Sequence, residues 1–232
     1  MNKQDIKKVV QAEFAPFLQA EGYKNGRTPA DMIAIMEKDM PDVSYQFTCH
    51  VYRYDVYVFD FGFGLGYPMV TDLLQTIHSH TPIRREIVQV PKYVTGISPT
   101  LLGDPLNPGK YQPPFGTEAE LKQILDGVRS FYTNEFGQFS GSYSDIRTLD
   151  RAINSLDNFR EKESTQFPPL LYLFVTRLIV ARLAENPLYE QVVEKNFEAI
   201  EKEWASFDAV FDRTDEKRPE VFAAKYLRDV KL

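Results

Sequence analysis

The sequence predicts an α+β protein: an antiparallel sheet with an N-terminal helix, followed by a mainly helical C-terminal half. Three observations carry this. Residues 43–63, VSYQFTCHVYRYDVYVFDFGF, hold two aromatic-rich runs in which apolar and polar side chains alternate, the period of a strand with one buried face. Residues 3–20 place Ile6, Val9, Val10, Phe14, Phe17 and Leu18 at helical spacing. From residue 117 onward the apolar residues recur every three or four positions.

The first helix is expected over 3–20, with Pro16 kinking it or ending it early and Gly22 supplying the stop. A strand follows at 32–37, MIAIME, set off from the next by Asp39, Pro41 and Asp42. The two aromatic runs then fold into a hairpin. Val43, Tyr45, Phe47, Cys49 and Val51 share one face of its first strand; Ser44, Gln46, Thr48, His50 and Tyr52 share the other. In its second strand Tyr57, Phe59, Phe61 and Phe63 oppose Val56, Val58, Asp60, Gly62 and Gly64. A three-residue turn at Arg53, Tyr54 and Asp55 pairs Val51 with Tyr57, Cys49 with Phe59, Phe47 with Phe61 and Tyr45 with Phe63. Every one of those pairs is apolar, which a two-residue turn does not achieve. Residues 69–79 are ambiguous, with a short helix opened by Thr71 or Asp72 as one reading, and the alternation at 83–90 suggests a fourth strand.

Residues 91–116 hold six prolines and four glycines, a density at which no regular element is expected. The organisation that follows is a sheet domain over 1–90, a Pro/Gly-rich loop or linker over 91–116, and a helical region over 117–232, either packed on the sheet as one domain or separate from it. Thr117 with Glu120 has capping-box spacing and opens a helix to about Phe136. Ser144 or Asp145 opens the next, carrying Ile146, Leu149, Ile153 and Leu156. An apolar helix from Pro168 stops at Asn186–Pro187 and turns back into one carrying Leu188, Val192, Val193, Phe197, Ile200 and Trp204. Arg177 and Arg182 interrupt the apolar helix; anion binding is one reading, but they are rather expected to pair with Glu190 or Glu194, or to reach water over apolar stems. Trp204, Phe207, Val210 and Phe211 could cover a partner surface but are rather expected to close the core, and Pro219 is expected to begin a last helix.

Composition excludes some functions. The net charge is −6, spread as −1 over residues 1–116 and −5 over 117–232. An acidic chain without a basic patch argues against nucleic acid or an anionic membrane as partner, and suits a basic protein. The single Cys49 cannot form an internal disulfide, as expected in a reducing compartment. The apolar run at 167–184 is broken by two arginines and falls short of the ~20 residues a bilayer crossing needs. With no apolar leader in MNKQDIKKVVQAEF, the expected location is the cytoplasm.

Candidate chemistry gathers on the hairpin. FGFGLG at 61–66 follows a strand but runs into Tyr67, and its glycine spacing does not match the dinucleotide fingerprint, so no nucleotide cofactor is expected. Gly62 and Gly64 instead leave one sheet face open to a close approach, and with Gln46 and Tyr52 they are the candidate ligand-binding residues. His50 lies diagonal to Asp60 in the expected register, with Thr48 directly across from Asp60. A histidine oriented by a carboxylate is the arrangement of a general base, which makes these three the candidate catalytic set. His78 and His80 could share one side of a strand as metal ligands, but two imidazoles do not complete a zinc site.

The helix ending Glu21-Gly22-Tyr23-Lys24, then a strand, then the Gln46-Phe47 strand and the Tyr57–Gly64 strand, resembles a family of uncharacterised bacterial α+β domains. In that family a "GFKK"-like helix end precedes a hairpin with a "Q-x-S"-like strand, and some members occur near toxin–immunity systems. The resemblance covers about the first third of the chain, departs at Thr48 and in the proline-rich segment, and transfers no catalytic residues. It implies a non-catalytic, immunity-like protein-binding domain. The alternative from the residues is a small-ligand protein or hydrolase-type enzyme using Thr48, His50 and Asp60.

Overall fold

The computed structural model describes residues 1–30, 32–53, 57–80, 94–97, 113–156, 170–204 and 219–230. The expected strand at 83–90, residues 98–112 of the proline-rich segment, and Phe207, Val210 and Phe211 lie outside them. The fold is α+β, with a five-stranded antiparallel sheet, an N-terminal helix and a helical C-terminal half. It divides into two compact units that interleave along the chain: Met1–Gly66 with Thr95–Gly141, and Tyr67–Val94 with Ser142–Leu232.

The first unit opens with α1 (Lys3–Val9), a π-helical turn (Val10–Phe14) and α2 (Ala15–Ala20). Asn2 caps α1 in a reciprocal box with Asp5. Pro16 does not end the helix. Its ring has no N–H and would crowd the Ala12 carbonyl in a regular α-turn. The chain widens one residue earlier, so that the Ala15 N–H bonds the Val10 carbonyl, and the helix runs on. It stops where Gly22 takes φ 91°, with Gly22 N–H donating to Gln19 O at 3.0 Å and Tyr23 N–H to Leu18 O at 2.9 Å. That is a Schellman end, closed by the buried pair Leu18 and Tyr23.

The strands β1 (Lys24–Asn25), β2 (Ala34–Asp39), β3 (Ser44–Arg53), β4 (Tyr57–Gly66) and β5 (Thr95–Ile97) lie in sequential order, each antiparallel to the next. The β3–β4 register differs from expectation by two residues: Val51 faces Phe59, Cys49 faces Phe61, Phe47 faces Phe63 and Tyr45 faces Leu65. Both registers give all-apolar pairs, so alternation cannot choose between them. The observed one sets Arg53 across from Tyr57, its guanidinium 5.9 Å from the ring centre, and His50 across from Asp60. Because the slide is by two, every side chain keeps its face. β5 corrects the expectation of no regular element within 91–116: Gly96 lies opposite Gly64, where an added Cβ would sit 2.8 Å from the Phe63 carbonyl oxygen.

Thr117 and Glu120 form the expected capping box, opening α4 (Glu118–Phe131). This helix runs beyond Phe136, through a π-helical turn (Tyr132–Phe136) into α5 (Gly137–Tyr143). Leu121, Leu125, Val128 and Phe131 are buried with the sheet's aromatic face, α1 and α2 in one core. Phe63 sits at its centre, with ring centroids 5.1 Å from Phe47, 4.9 Å from Phe136 and 5.2 Å from Tyr132. Cys49 is fully buried there, and burial pushes its thiol well above the ordinary range.

The second unit contains α3 (Pro68–His80), α6 (Ile146–Ile153), α7 (Leu170–Leu183), α8 (Tyr189–Trp204) and α9 (Pro219–Asp229). Asp145 caps α6, its Oδ1 accepting from Arg147 N–H at 3.0 Å. α7 is buried on all sides over Phe174–Ala181 because α3, α6, α8 and α9 all pack on it. Among the described residues no helix is long and apolar enough to cross a membrane. Leu188, read with the apolar residues of the helix after Asn186–Pro187, precedes α8 and is 44% exposed.

Arg177 does not reach water as expected; it is fully buried. Beside it Asn154 Nδ2 donates to the Arg177 carbonyl at 3.1 Å and to Asp150 Oδ1 at 2.7 Å, while Asn186 Nδ2 donates to Asp150 Oδ2 at 2.7 Å. Burial raises the Asp150 carboxyl above its ordinary value, partly offset by the two amides. Arg182 does not take Glu190 either. Its Nε donates to Leu227 O at 2.8 Å and its Nη2 to Val230 O at 3.4 Å, capping the last carbonyls of α9. Glu190 instead accepts a fork from Arg228, with Nε at 3.0 Å and Nη2 at 2.5 Å.

Candidate functional site

Strand alternation puts the apolar residues of β3 and β4 toward α1 and α4, and leaves the polar set on the reverse of the sheet. The register then fixes neighbours there. Gln46 faces Gly64, Thr48 faces Gly62, His50 faces Asp60 and Tyr52 faces Val58. From β2, Glu37 lies beside Gln46 and Ile35 beside Thr48; from β5, Gly96 lies beside Gly64. All seven sheet residues singled out from the sequence, Gln46, Thr48, His50, Tyr52, Asp60, Gly62 and Gly64, therefore share one face. Gln46 is held in place by donating its Nε2 to Glu37 Oε1 at 3.2 Å.

Within this face the expected catalytic set is rearranged. Thr48 lies across from Gly62 rather than Asp60, and His50 lies directly across from Asp60 rather than diagonal to it, at the ~4.5–5.5 Å Cα spacing of cross-strand partners. The imidazole does not use that proximity. It lies along its own strand against Tyr52, ring centroids 6.2 Å apart and planes within 12°. Among the described residues its ring makes no hydrogen bond. Tyr52 is 47% exposed, so the stacked pair presents an aromatic surface at the end of the hairpin where β3 leads toward β4.

His78 and His80 are not on a strand. They occupy the last turn of α3, two positions apart, which points them to opposite sides of the helix. The His80 ring stacks on Phe222, centroids 5.3 Å apart, with Nδ1 2.8 Å from Thr76 O. Among the described residues no group of three His, Cys, Asp or Glu side chains is placed to hold a metal.

Two members of the sheet face escaped the sequence reading. Glu37 needed the β2–β3 register, and the alternation of Ile35 and Glu37 was its only trace. Gly96 was hidden among the prolines and glycines of its segment. Comparison of the chain with protein-family models, curated proteins and solved structures gives no significant match.

Proposed function

We propose that this chain is a non-catalytic protein-binding domain of the cytoplasm, immunity-like, which docks its partner on the reverse face of the sheet. The observation that carries the reading is the exposed Tyr52 stacked on His50. Large aromatics of low conformational freedom, presented beside polar groups, are the residues that anchor protein interfaces. Glu37 and Asp60 on the same face, together with the −6 net charge, favour a basic partner. His50 stacked on an aromatic ring, without a hydrogen bond to the carboxylate across from it, supports recognition over general-base chemistry.

The test compares wild type with Tyr52→Ala as baits under matched loading, reading recovered proteins by quantitative mass spectrometry. A stoichiometric protein retained by wild type and lost by Tyr52→Ala is the expected result. Identical profiles for the two baits refute docking at this face. One observation favours the small-ligand or hydrolase-type alternative, namely His50 directly across from Asp60. That reading requires ligand-induced melting shifts that disappear in His50→Ala and Asp60→Asn.

A further inference from the structure

A cleft of about 330 Å³ opens in the second unit, where the α7–α8 turn meets the end of α9, lined by Arg182, Glu185, Asn186, Tyr189, Glu190 and Arg228. We propose that this cleft binds a small oxyanion, a carboxylate or phosphate group, between the Arg182 and Arg228 guanidinium groups and the Tyr189 hydroxyl.

Charge pairing gives the sign of the ligand. The Arg228 charge is cancelled by its fork to Glu190, and Glu185 is committed outward to Arg147 at 3.5 Å. Arg182 has no carboxylate partner among the described residues, since its bonds go to the Leu227 and Val230 carbonyls. The Arg182 guanidinium is thus the lining cation with no direct carboxylate partner, in a cleft whose surroundings also include Asp229 near Arg228 and Asp150 bonded to Asn186. Donors are left over as well. Each arginine spends Nε and Nη2 and keeps Nη1, and two guanidinium edges suit the flat or tetrahedral array of oxyanion acceptors.

The hydroxyl of Tyr189 supplies the third group. It is buried and has no hydrogen-bond partner among the described residues. A buried polar group without a partner is costly, and a small turn of the phenol toward the cleft that Tyr189 lines would let an acceptor bound there satisfy it. Burial pushes this phenol up to about 12, so it stays protonated and able to donate at neutral pH, while Arg228 and Arg182 lie close enough to pull in the opposite direction. The cleft volume falls at the low end of the ~300–1,000 Å³ typical of small-molecule sites, room for an anionic headgroup with a short organic tail.

The experiment is a titration of the full ¹⁵N-labelled chain with sodium phosphate and, separately, sodium acetate. Ionic strength is held constant with chloride, and the Asn186 side-chain amide and the arginine Nε–H resonances are followed. Saturable shifts with one of the two anions, at low millimolar midpoints of order the ~1 mM typical of weak sites, are expected, and chloride alone should give none. The responding anion identifies phosphate or carboxylate as the ligand group. Arg182→Gln should weaken binding about tenfold or more. Tyr189→Phe, a substitution that leaves packing intact, should weaken it severalfold while leaving the Asn186 resonance dispersed. Linear shifts that track ionic strength, or saturable shifts unchanged in Tyr189→Phe, overturn the proposal.

Discussion

Two helix ends in this chain share one backbone geometry and are filled by different residues, and that contrast yields a stability prediction. Glu185 closes α7 as Gly22 closes α2. Its φ is 53°, its N–H donates to Arg182 O at 3.2 Å, and the Asn186 N–H donates to Ala181 O at 2.9 Å. A side chain in this left-handed region costs roughly 1–2 kcal/mol. Glycine removes that cost but loses roughly 0.5–1 kcal/mol through the greater freedom of the unfolded chain. Glu185→Gly also gives up the Arg147 pair at 3.5 Å, whose partners are 66% and 79% exposed. Exposed pairs of that kind are worth about 0–1 kcal/mol, and a long one sits at the low end. The balance is a gain of about 0.5–1 kcal/mol, equivalent to a rise of roughly 1–4 °C in Tm for a domain of this size. Gly22→Ala, which forces a Cβ into the same conformation, should lower stability by about 1 kcal/mol or more. Urea denaturation followed by far-ultraviolet circular dichroism measures both. A neutral or destabilising Glu185→Gly beside a harmless Gly22→Ala would refute the argument that backbone strain decides these two turns.

Two further predictions concern buried groups. Because Asp150 is held above its ordinary value, the folded state binds its proton more tightly than the unfolded state does. The sign is therefore opposite to that of a salt-bridged carboxylate: its contribution to stability rises as pH falls through the raised folded-state value, levelling off near the ordinary 3.8. Asp150→Asn should flatten that part of the stability–pH curve in urea titrations, and a wild-type-minus-variant difference that is constant or falls on acidification contradicts it. Cys49 is fully buried with its thiol pushed up. An aromatic disulfide reagent should release no chromophore from the native chain at pH 8 and one equivalent in guanidinium, whereas fast native reaction means the aromatic core is open.

The sequence was most readable where a rule acts over a few residues. Alternation in 43–63 assigned each side chain of β3 and β4 to its correct face, since that depends only on parity. Thr117 with Glu120 marked one helix start and the Ser144–Asp145 pair another, of which Asp145 is the cap, because capping is settled within one turn. Gly22 marked a helix end for the same reason. Readability failed where distant groups compete. Two registers of the hairpin were equally apolar, and the one adopted brings Arg53 over Tyr57 and packs Phe63 against Phe131 of α4. Pro16 looked like a stop until the widened turn before it relieved the clash. His78 and His80 looked like strand neighbours because three-residue spacing and alternation are hard to separate in TDLLQTIHSH. The burial of Arg177 came from four helices closing around α7, which no local pattern announces.

What the chain alone determined is the class, the two-faced hairpin and the residues carried on its polar side, because strand period and helix caps are written in adjacent positions. Tertiary structure decided which of those residues meet. It set His50 across from Asp60 yet turned the imidazole onto Tyr52, and it brought Arg182, Tyr189 and Arg228 from three helical segments to one cleft. Such meetings depend on how elements far apart in the chain pack and satisfy each other's polar groups, and that free energy belongs to the assembled fold rather than to any single stretch of sequence.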